Sequence, residues 1–275
     1  MDVLDEHRSL LTCLLPDDAV AECEVRQGQF HHVVLGRDRV VCFPRTEAAA
    51  ARLPARAAVL RALSGLGLGV ATPEPIAESE EPAYLVLTRI PGQPLPESAL
   101  SRPGAPEAVA RQLAELLSSL ASAGTAPLPE APADRWEVFA DEVRAGLFPL
   151  MSAAGRVRAT RELDALDTLP HLTTAIVHGD LGGENLLWDT GNPPRLLGVV
   201  DWDDACLGDP AEDLAALSAT YPPAVLEPLL ALLGTDPPTR TRIATLRATF
   251  ALQQALSAHR DGDEEELADG LAGYR

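Results

Sequence analysis

Not one of the 275 residues is lysine, so all 22 basic side chains are arginine. Any cation set against a phosphate must therefore be an arginine or a charged histidine. Bases are outnumbered by 41 acids, giving a formal net charge of −19. A nucleic-acid surface needs a basic footprint, and that charge argues against one. No apolar run has the ~20 residues of a membrane-spanning helix. The stretch Met1–Arg8 holds three acids and no apolar leader core, so the cytoplasm is the expected compartment. Cys13, Cys23, Cys42 and Cys206 stand far apart with no CxxC spacing, which fits reduced thiols. No internal repeat is present. What remains is a chain that is 46% apolar, long enough for one large domain or two lobes. The acidity favours a cationic partner, because an acidic cleft concentrates positive ligands. For the charge taken alone, solubility is the simpler account.

Periodicity divides the chain in two. Leu4–Leu15 has helical spacing. Runs at Ala21–Val25, His32–Leu35 and Arg39–Phe43 predict a three-stranded antiparallel meander. Thr46–Leu66 predicts a helix, with Pro54 marking a break or the first turn of a second segment. Pro73-Glu74-Pro75 reads as a turn and Ala83–Leu87 as a further strand, closed by Ile90-Pro91-Gly92. Beyond Pro91, helices are expected at Glu107–Ala123, Trp136–Met151 and Arg156–Leu169, and again from Pro210 onward. The expected organisation is a lobe over residues 1–90 carrying a nucleotide-binding sheet and a larger, mainly helical lobe over 91–275. A nucleotide would lie in the crevice between them.

Two polar motifs set in apolar strands carry the chemistry. The first runs Val177-His178-Gly179-Asp180-Leu181-Gly182-Gly183-Glu184-Asn185-Leu186-Leu187-Trp188 and the second Val199-Val200-Asp201-Trp202-Asp203-Asp204. Four residues separate Asp180 from Asn185, and Asp201 follows after a predicted hairpin. That is the spacing of a kinase catalytic loop and its metal-binding aspartate. Phosphoryl transfer from ATP needs positioning, cations on the phosphates and a group that orients the attacking hydroxyl. Asp180 is placed to accept the hydroxyl proton. Asn185 offers an amide oxygen to magnesium without adding charge, and Asp201 a carboxylate. Leu187 is expected to floor the adenine. His178 reads as a structural residue fixing the turn, and Glu184 as a solvated loop acid. Asp209 is expected to cap a helix starting at Pro210, and Asp213 to brace the catalytic loop. Any one of Asp180, Asn185 and Asp201 alone would pass for a polar turn; the three together, between apolar flanks, do not.

The strings HGDLGGEN and VVDWDDACLGDPAEDLA resemble the aminoglycoside and macrolide phosphotransferase family. The resemblance implies an α+β, protein-kinase-like bilobal fold: a small N-lobe with an antiparallel sheet and a larger, mainly helical C-lobe. GQFHHVVLG is similar to the family's nucleotide-loop hairpin, VVCFPR to its third strand and YLVLTRIPG to its interlobe hinge. GQFHHVV, VVCF, Ile176–Asn185 and the tail ATFALQQALSAHRDGDEEELADGLAGYR look closest to its tuberactinomycin branch, which phosphorylates a seryl hydroxyl of basic cyclic peptides such as viomycin and capreomycin. The resemblance implies ATP and Mg2+, with Asp180 as base and Asn185 and Asp201 as metal ligands. It also implies adenine contacts at the Thr88 carbonyl and the Ile90 amide, and phosphates covered by Gly28, Gln29, Phe30 and His31. An aminoglycoside or macrolide kinase is the alternative within the enzyme class.

One departure stands out. Kinase-like third strands supply a lysine, paired with a glutamate on the next helix. Here Cys42 and Arg56 occupy those positions. Either activity is lost, leaving a nucleotide-binding pseudokinase, or the cation has moved. Relocation is the preferred reading, with Arg56 contacting the phosphates from the helix and Arg45 and His31 as alternatives. Cys42 is given no catalytic role. Finally, the acids Asp203, Asp204, Asp263, Glu264 and Glu265 are expected to face a cationic substrate, the last three from the acidic run Asp261–Glu266.

Overall fold

The computed structural model describes residues 3–28, 30–124 and 127–275. Two short helices, α1 (Val3–Glu6) and α2 (Arg8–Leu14), replace the single expected N-terminal helix; the chain breaks at His7. The ring of His7 stacks on Phe43 with centroids 4.1 Å apart, which seats the pair on the sheet. The sheet contains β1 (Glu24–Gln27), β2 (His31–Leu35) and β3 (Arg39–Pro44), then α3 (Glu47–Ser64), β4 (Pro75–Glu80) and β5 (Ala83–Thr88). Its order is β1-β2-β3-β5-β4, antiparallel throughout. The expected meander is there. β4 was not expected, because Pro75-Ile76-Ala77-Glu78-Ser79-Glu80 holds a single strong strand former; it exists as an edge paired to β5.

The Thr46 hydroxyl accepts from the Ala49 amide and caps α3. Pro54 does not break the helix. Leu53 and Ala57 on either side of it are buried, and that packing outweighs the missing backbone bond. One sheet face covers a small core of Leu11, Leu15, Val34, Val41, Phe43 and Val86. The other, with Cys42, Leu85 and Leu87, packs on α3 and continues into the main core of the second lobe.

That lobe begins with α4 (Glu97–Leu100), α5 (Ala105–Ser122), α6 (Arg135–Gly146) and α7 (Ala153–Leu166). Strands β6 (Ala175–Val177), β7 (Leu186–Asp189), β8 (Arg195–Val199) and β9 (Cys206–Gly208) follow, pairing as β6 with β9 and β7 with β8. The chain closes with α8 (Ala211–Thr220), α9 (Pro223–Leu232), α10 (Pro237–Ala248), α11 (Phe250–Asp261) and α12 (Glu264–Gly270). No helix among the described residues is long and apolar enough to cross a membrane.

The two lobes are fastened on the β7–β8 hairpin. The Ala71 amide donates to the Leu197 carbonyl and the Val199 amide to the Ala71 carbonyl, both at 3.0 Å. Gln93 and Trp188 exchange backbone bonds at 3.2 and 2.8 Å. Gly92 (φ 109°) and Gly198 allow these close approaches. A Cβ on Gly198 would lie 2.6 Å from both the Ala71 carbonyl oxygen and the Ile90 side chain. Gly198→Ala is therefore expected to cost about 1–3 kcal/mol, as overpacking does. Urea unfolding checks this: the midpoint should fall with little change in slope.

Candidate active site

β6 is buried at all three positions and delivers the chain to a turn at His178-Gly179-Asp180. Gly179 has φ 88°, and a Cβ there would meet the Asp204 carbonyl at 2.8 Å, so only glycine fits. The fully buried Asp213, in the first turn of α8, accepts from the amides of His178 (3.0 Å) and Gly179 (3.1 Å). Burial pushes Asp213 up to about 7, while the two amide bonds pull the other way. Asp213 thus braces the catalytic loop, as its position suggested.

His178 has one consistent tautomer. Its Nε2–H donates to the Val200 carbonyl (2.9 Å), and its Nδ1 accepts from the Asp180 amide (3.2 Å). The Trp202 ring lies against it at 4.6 Å. Asn185 Nδ2 donates to the Asp180 carbonyl (2.8 Å) and to its carboxylate (3.2 Å). Its Oδ1 has no partner among the described residues. The Val200 amide donates to the Asn185 carbonyl at 2.9 Å, continuing the hairpin so that Asn185 and the residue before Asp201 are joined. Asp201 has φ 61°, the one positive φ outside glycine among the described residues. Aspartate tolerates that conformation better than most side chains, at a cost of about 1–3 kcal/mol.

These donors fit magnesium. The ion takes oxygen ligands, keeps several waters, and is held by one or two carboxylates plus substrate phosphates. Asp201 and the unclaimed Asn185 amide oxygen supply that kind of partial set. No group of three or more His, Cys, Asp or Glu side chains suited to a metal occurs among the described residues. Burial raises Asp180, and the charges of Glu184, Asp201 and Asp204 add to it, against the Asn185 hydrogen bond. Asp204 is also raised, by burial and then by Asp201, and it packs over Gly179.

The region above the loop holds Arg56. Its Nε lies 2.5 Å from Asp203 Oδ1, with the two side chains 14% and 23% exposed. Its Nη1 is 3.3 Å from His31 Nδ1, and its charge opposes the burial that pushes the Cys42 thiol up. The helix arginine thus lies between β2, α3 and the segment after Asp201. Burial first, then Arg56, pushes His31 down to about 4, so His31 is neutral and is not the relocated cation. Arg45 donates to the Gly28 carbonyl at 2.9 Å and braces the loop backbone. Gly28 closes a tight turn onto the His31 carbonyl, and Phe30 at its tip is half-exposed beneath Arg52. Gln29 lies outside the described residues.

At the hinge, Ile90 is buried and its amide has no hydrogen-bond acceptor among the described residues. Leu187 is half-buried on β7. A cavity of about 840 Å³ includes Thr88 and Ile90 but none of Gly28, His31, Arg56 or Leu187. It runs between the α3–β4 connection, α5 and β8, away from the catalytic loop.

A second cavity, about 270 Å³, opens beside Asp180 between Trp136, Glu184, Glu212, Phe250 and Gln253. Glu212 is already matched by Arg135 through two bonds of 2.8 and 2.5 Å. Glu184 is exposed, as a solvated loop acid should be, pairs with no cation among the described residues, and borders this cavity together with Asp180 and Glu212. Trp136, Phe250 and Gln253 were missed in the sequence, where they look like ordinary helix residues; the i, i+3 pair Phe250–Gln253 was the available signal.

Two expectations need correcting. Asp203 faces Arg56 and not the cavity. Asp263, Glu264 and Glu265 do not line the cavity either. They start α12, at the end of α11 opposite Phe250, and Asp263 accepts from the amides of Glu265 and Glu266. Acids in a first turn are what the helix dipole favours.

His178, like His31, is held down at about 4 from 6.5, chiefly by burial. The unfolded chain binds protons between these values that the fold refuses, so each histidine removes stability as pH falls through that window, by up to about 3 kcal/mol. The raised carboxylates act in the opposite sense. The measurement is the change in unfolding free energy from pH 7 to 4.5 in wild type and His31→Gln. Wild type should lose more.

Comparison with known proteins agrees with this geometry. The Phosphotransferase enzyme family model matches residues 26–246. Viomycin phosphotransferase of Streptomyces vinaceus is 60% identical over 287 aligned positions that take in all of both chains. In fold, the GDP complex of aminoglycoside 2'-phosphotransferase-IIIa has a TM-score of 0.84 at 21% identity, covering 98% of this chain and 97% of that one. A macrolide 2'-phosphotransferase from Brachybacterium faecium has a TM-score of 0.69 at 21% identity, covering 98% of each chain. At that identity the two solved structures speak for the kinase-like α+β fold alone. With a family match over most of its length and a curated relative spanning all of it, the chain belongs to the phosphotransferase enzyme family.

Proposed function

We propose that this enzyme moves the γ-phosphoryl group of ATP to a hydroxyl of a polycationic cyclic-peptide antibiotic, of the viomycin and capreomycin type. The acceptor is a seryl hydroxyl. The supporting observation is the pair of bonds from Asn185 Nδ2 to Asp180, which fixes the Asp180 carboxylate and leaves the Asn185 amide oxygen unclaimed. The full-length relative named viomycin phosphotransferase supplies the substrate class.

Asp180 orients the acceptor hydroxyl and takes its proton; its raised pKa makes the carboxylate a better base than a solvated aspartate. Asn185 and Asp201 would hold magnesium, which when bound neutralises charge on the phosphates. The Ile90 amide and the Thr88 carbonyl receive the adenine edge, above Leu187. Gly28, Gln29, Phe30 and His31 cover the phosphates, and Arg56 replaces the missing lysine. The cationic substrate enters beside Asp180, where Glu184 adds negative charge and Trp136 and Phe250 offer aromatic faces; Asp204 lies outside the lining and adds its charge at Asp180. The pseudokinase reading rested on the missing ion pair; the family match and the full-length relative support an active phosphotransferase instead.

The test is mass spectrometry of viomycin and capreomycin after incubation with ATP, magnesium and the protein. A phosphate mass addition is expected, with turnover falling about 10²–10⁴-fold in Asp180→Ala. Modification of an aminoglycoside or a macrolide instead, with both peptides untouched, would overturn the substrate assignment.

A further inference from the structure

The phosphate-side cation is anchored differently from the ordinary kinase arrangement. There the cation sits on the third strand and its acidic partner on the following helix. Here the helix residue, Arg56, is the cation, and the acid, Asp203, comes from the other lobe, two positions after Asp201. Both side chains are largely withdrawn from water, so the pair is screened far less than a surface bridge. His31, at the start of β2, completes the cluster. Three elements therefore meet at one guanidinium: the nucleotide-loop strand, helix α3 and the segment following the metal aspartate.

A second observation shows what the cluster lacks. Arginine can only donate, so His31 Nδ1 accepts from Arg56 and the ring proton sits on Nε2. That Nε2 is buried with no hydrogen-bond partner among the described residues. Arg56 Nε is taken up by Asp203 at 2.5 Å, so the unpartnered donor of the cluster is His31 Nε2. Buried donors without acceptors are uncommon in folded proteins. One beside a cation suits an anion with several oxygens, which the phosphates of a nucleotide provide.

We propose that Asp203 is the positioning residue for the nucleotide clamp: it holds the Arg56 guanidinium in place so that Arg56 and the Nε2–H of His31 together receive the phosphates. This rests on the functional reading above and takes Asp203 out of the antibiotic site. Because the anchor lies beside Asp201, the clamp and the metal ligands are set by one segment of chain. A shift of the segment displaces both.

Four proteins test it: wild type, Asp203→Asn, Arg56→Lys and the double variant Arg56→Lys/Asp203→Glu. Asp203→Asn should lower kcat/KM for ATP about ten- to a hundredfold, the scale of a misplaced catalytic contact, with the KM for viomycin unchanged. Arg56→Lys should fall similarly. In the double variant the longer acid follows the shorter cation, so part of the loss seen in Arg56→Lys should return; a double variant no better than Arg56→Lys would overturn the proposal. A rise confined to the viomycin KM would return Asp203 to the substrate site. Tighter ATP binding with kcat intact would make Asp203 a competitor of the phosphates, not a support. Calorimetry with ATP and magnesium on the same proteins separates the two claims. A wild type that leaves viomycin unmodified sinks the functional reading alone, while equal ATP affinity across all four sinks the positioning role. If Asp203→Asn does not fold, Arg56→Lys and the double variant carry the comparison.

Discussion

A single buried carboxylate anchors the turn that carries Asp180. Asp213 receives the amides of His178 and Gly179, two donors that β6 has just carried out of the sheet, the first of them buried. Without an acceptor there, the turn would leave the buried His178 N–H unsatisfied and the Gly179 amide without its partner in the left-handed turn. Everything downstream refers to that turn. Asp180 is fixed by the His178 ring, the ring by the Val200 carbonyl, and Val200 by the backbone of Asn185. The polar chain is closed and nearly every member is satisfied, which is how a buried network stays rigid.

The hairpin of β7 and β8 serves the same end from outside. It brings Asn185 and Asp201 to one edge, and it is also the surface on which both lobe connections are hydrogen-bonded. The two residues proposed to hold magnesium and the connections at Ala71 and Gln93 therefore share one element. Rigid placement matters more than reactivity in phosphoryl transfer, where little covalent chemistry is asked of the protein.

Charge is distributed with the same economy. The site gathers Asp180, Glu184, Asp201, Asp203 and Asp204 in a small volume, and burial with mutual repulsion raises Asp180, Asp203 and Asp204, the last two also feeling nearby arginines. Burial and its neighbours set Asp203 at about 6 even with Arg56 opposing the shift. Such a cluster needs cations. On the side of Asp203 one is built in, as Arg56; beside the Asp180 cavity, Arg135 is already engaged by Glu212. The asymmetry suits a phosphate donor on one side and a basic acceptor on the other.

The sequence alone determined that Asp180, Asn185 and Asp201 would lie close together, since they sit on a short loop and hairpin whose spacing fixes their relation before any packing occurs. It also determined the sheet meander, the loop-bracing Asp213 and the absence of lysine. Tertiary structure decided the rest. Pro54 reads as a break until the burial of Leu53 and Ala57 is known. β4 is a strand only because β5 offers an edge. Asp203 looked like a substrate acid from its place beside Asp204; only the approach of α3 from the other lobe shows that it faces Arg56. The acidic run near Asp263 looked like a wall because composition has no direction, whereas the length of α11 carries it away from the cavity. Local geometry is written in spacing along the chain, but ion pairing and burial depend on which distant elements meet, and that is settled only when the cores of the two lobes pack together.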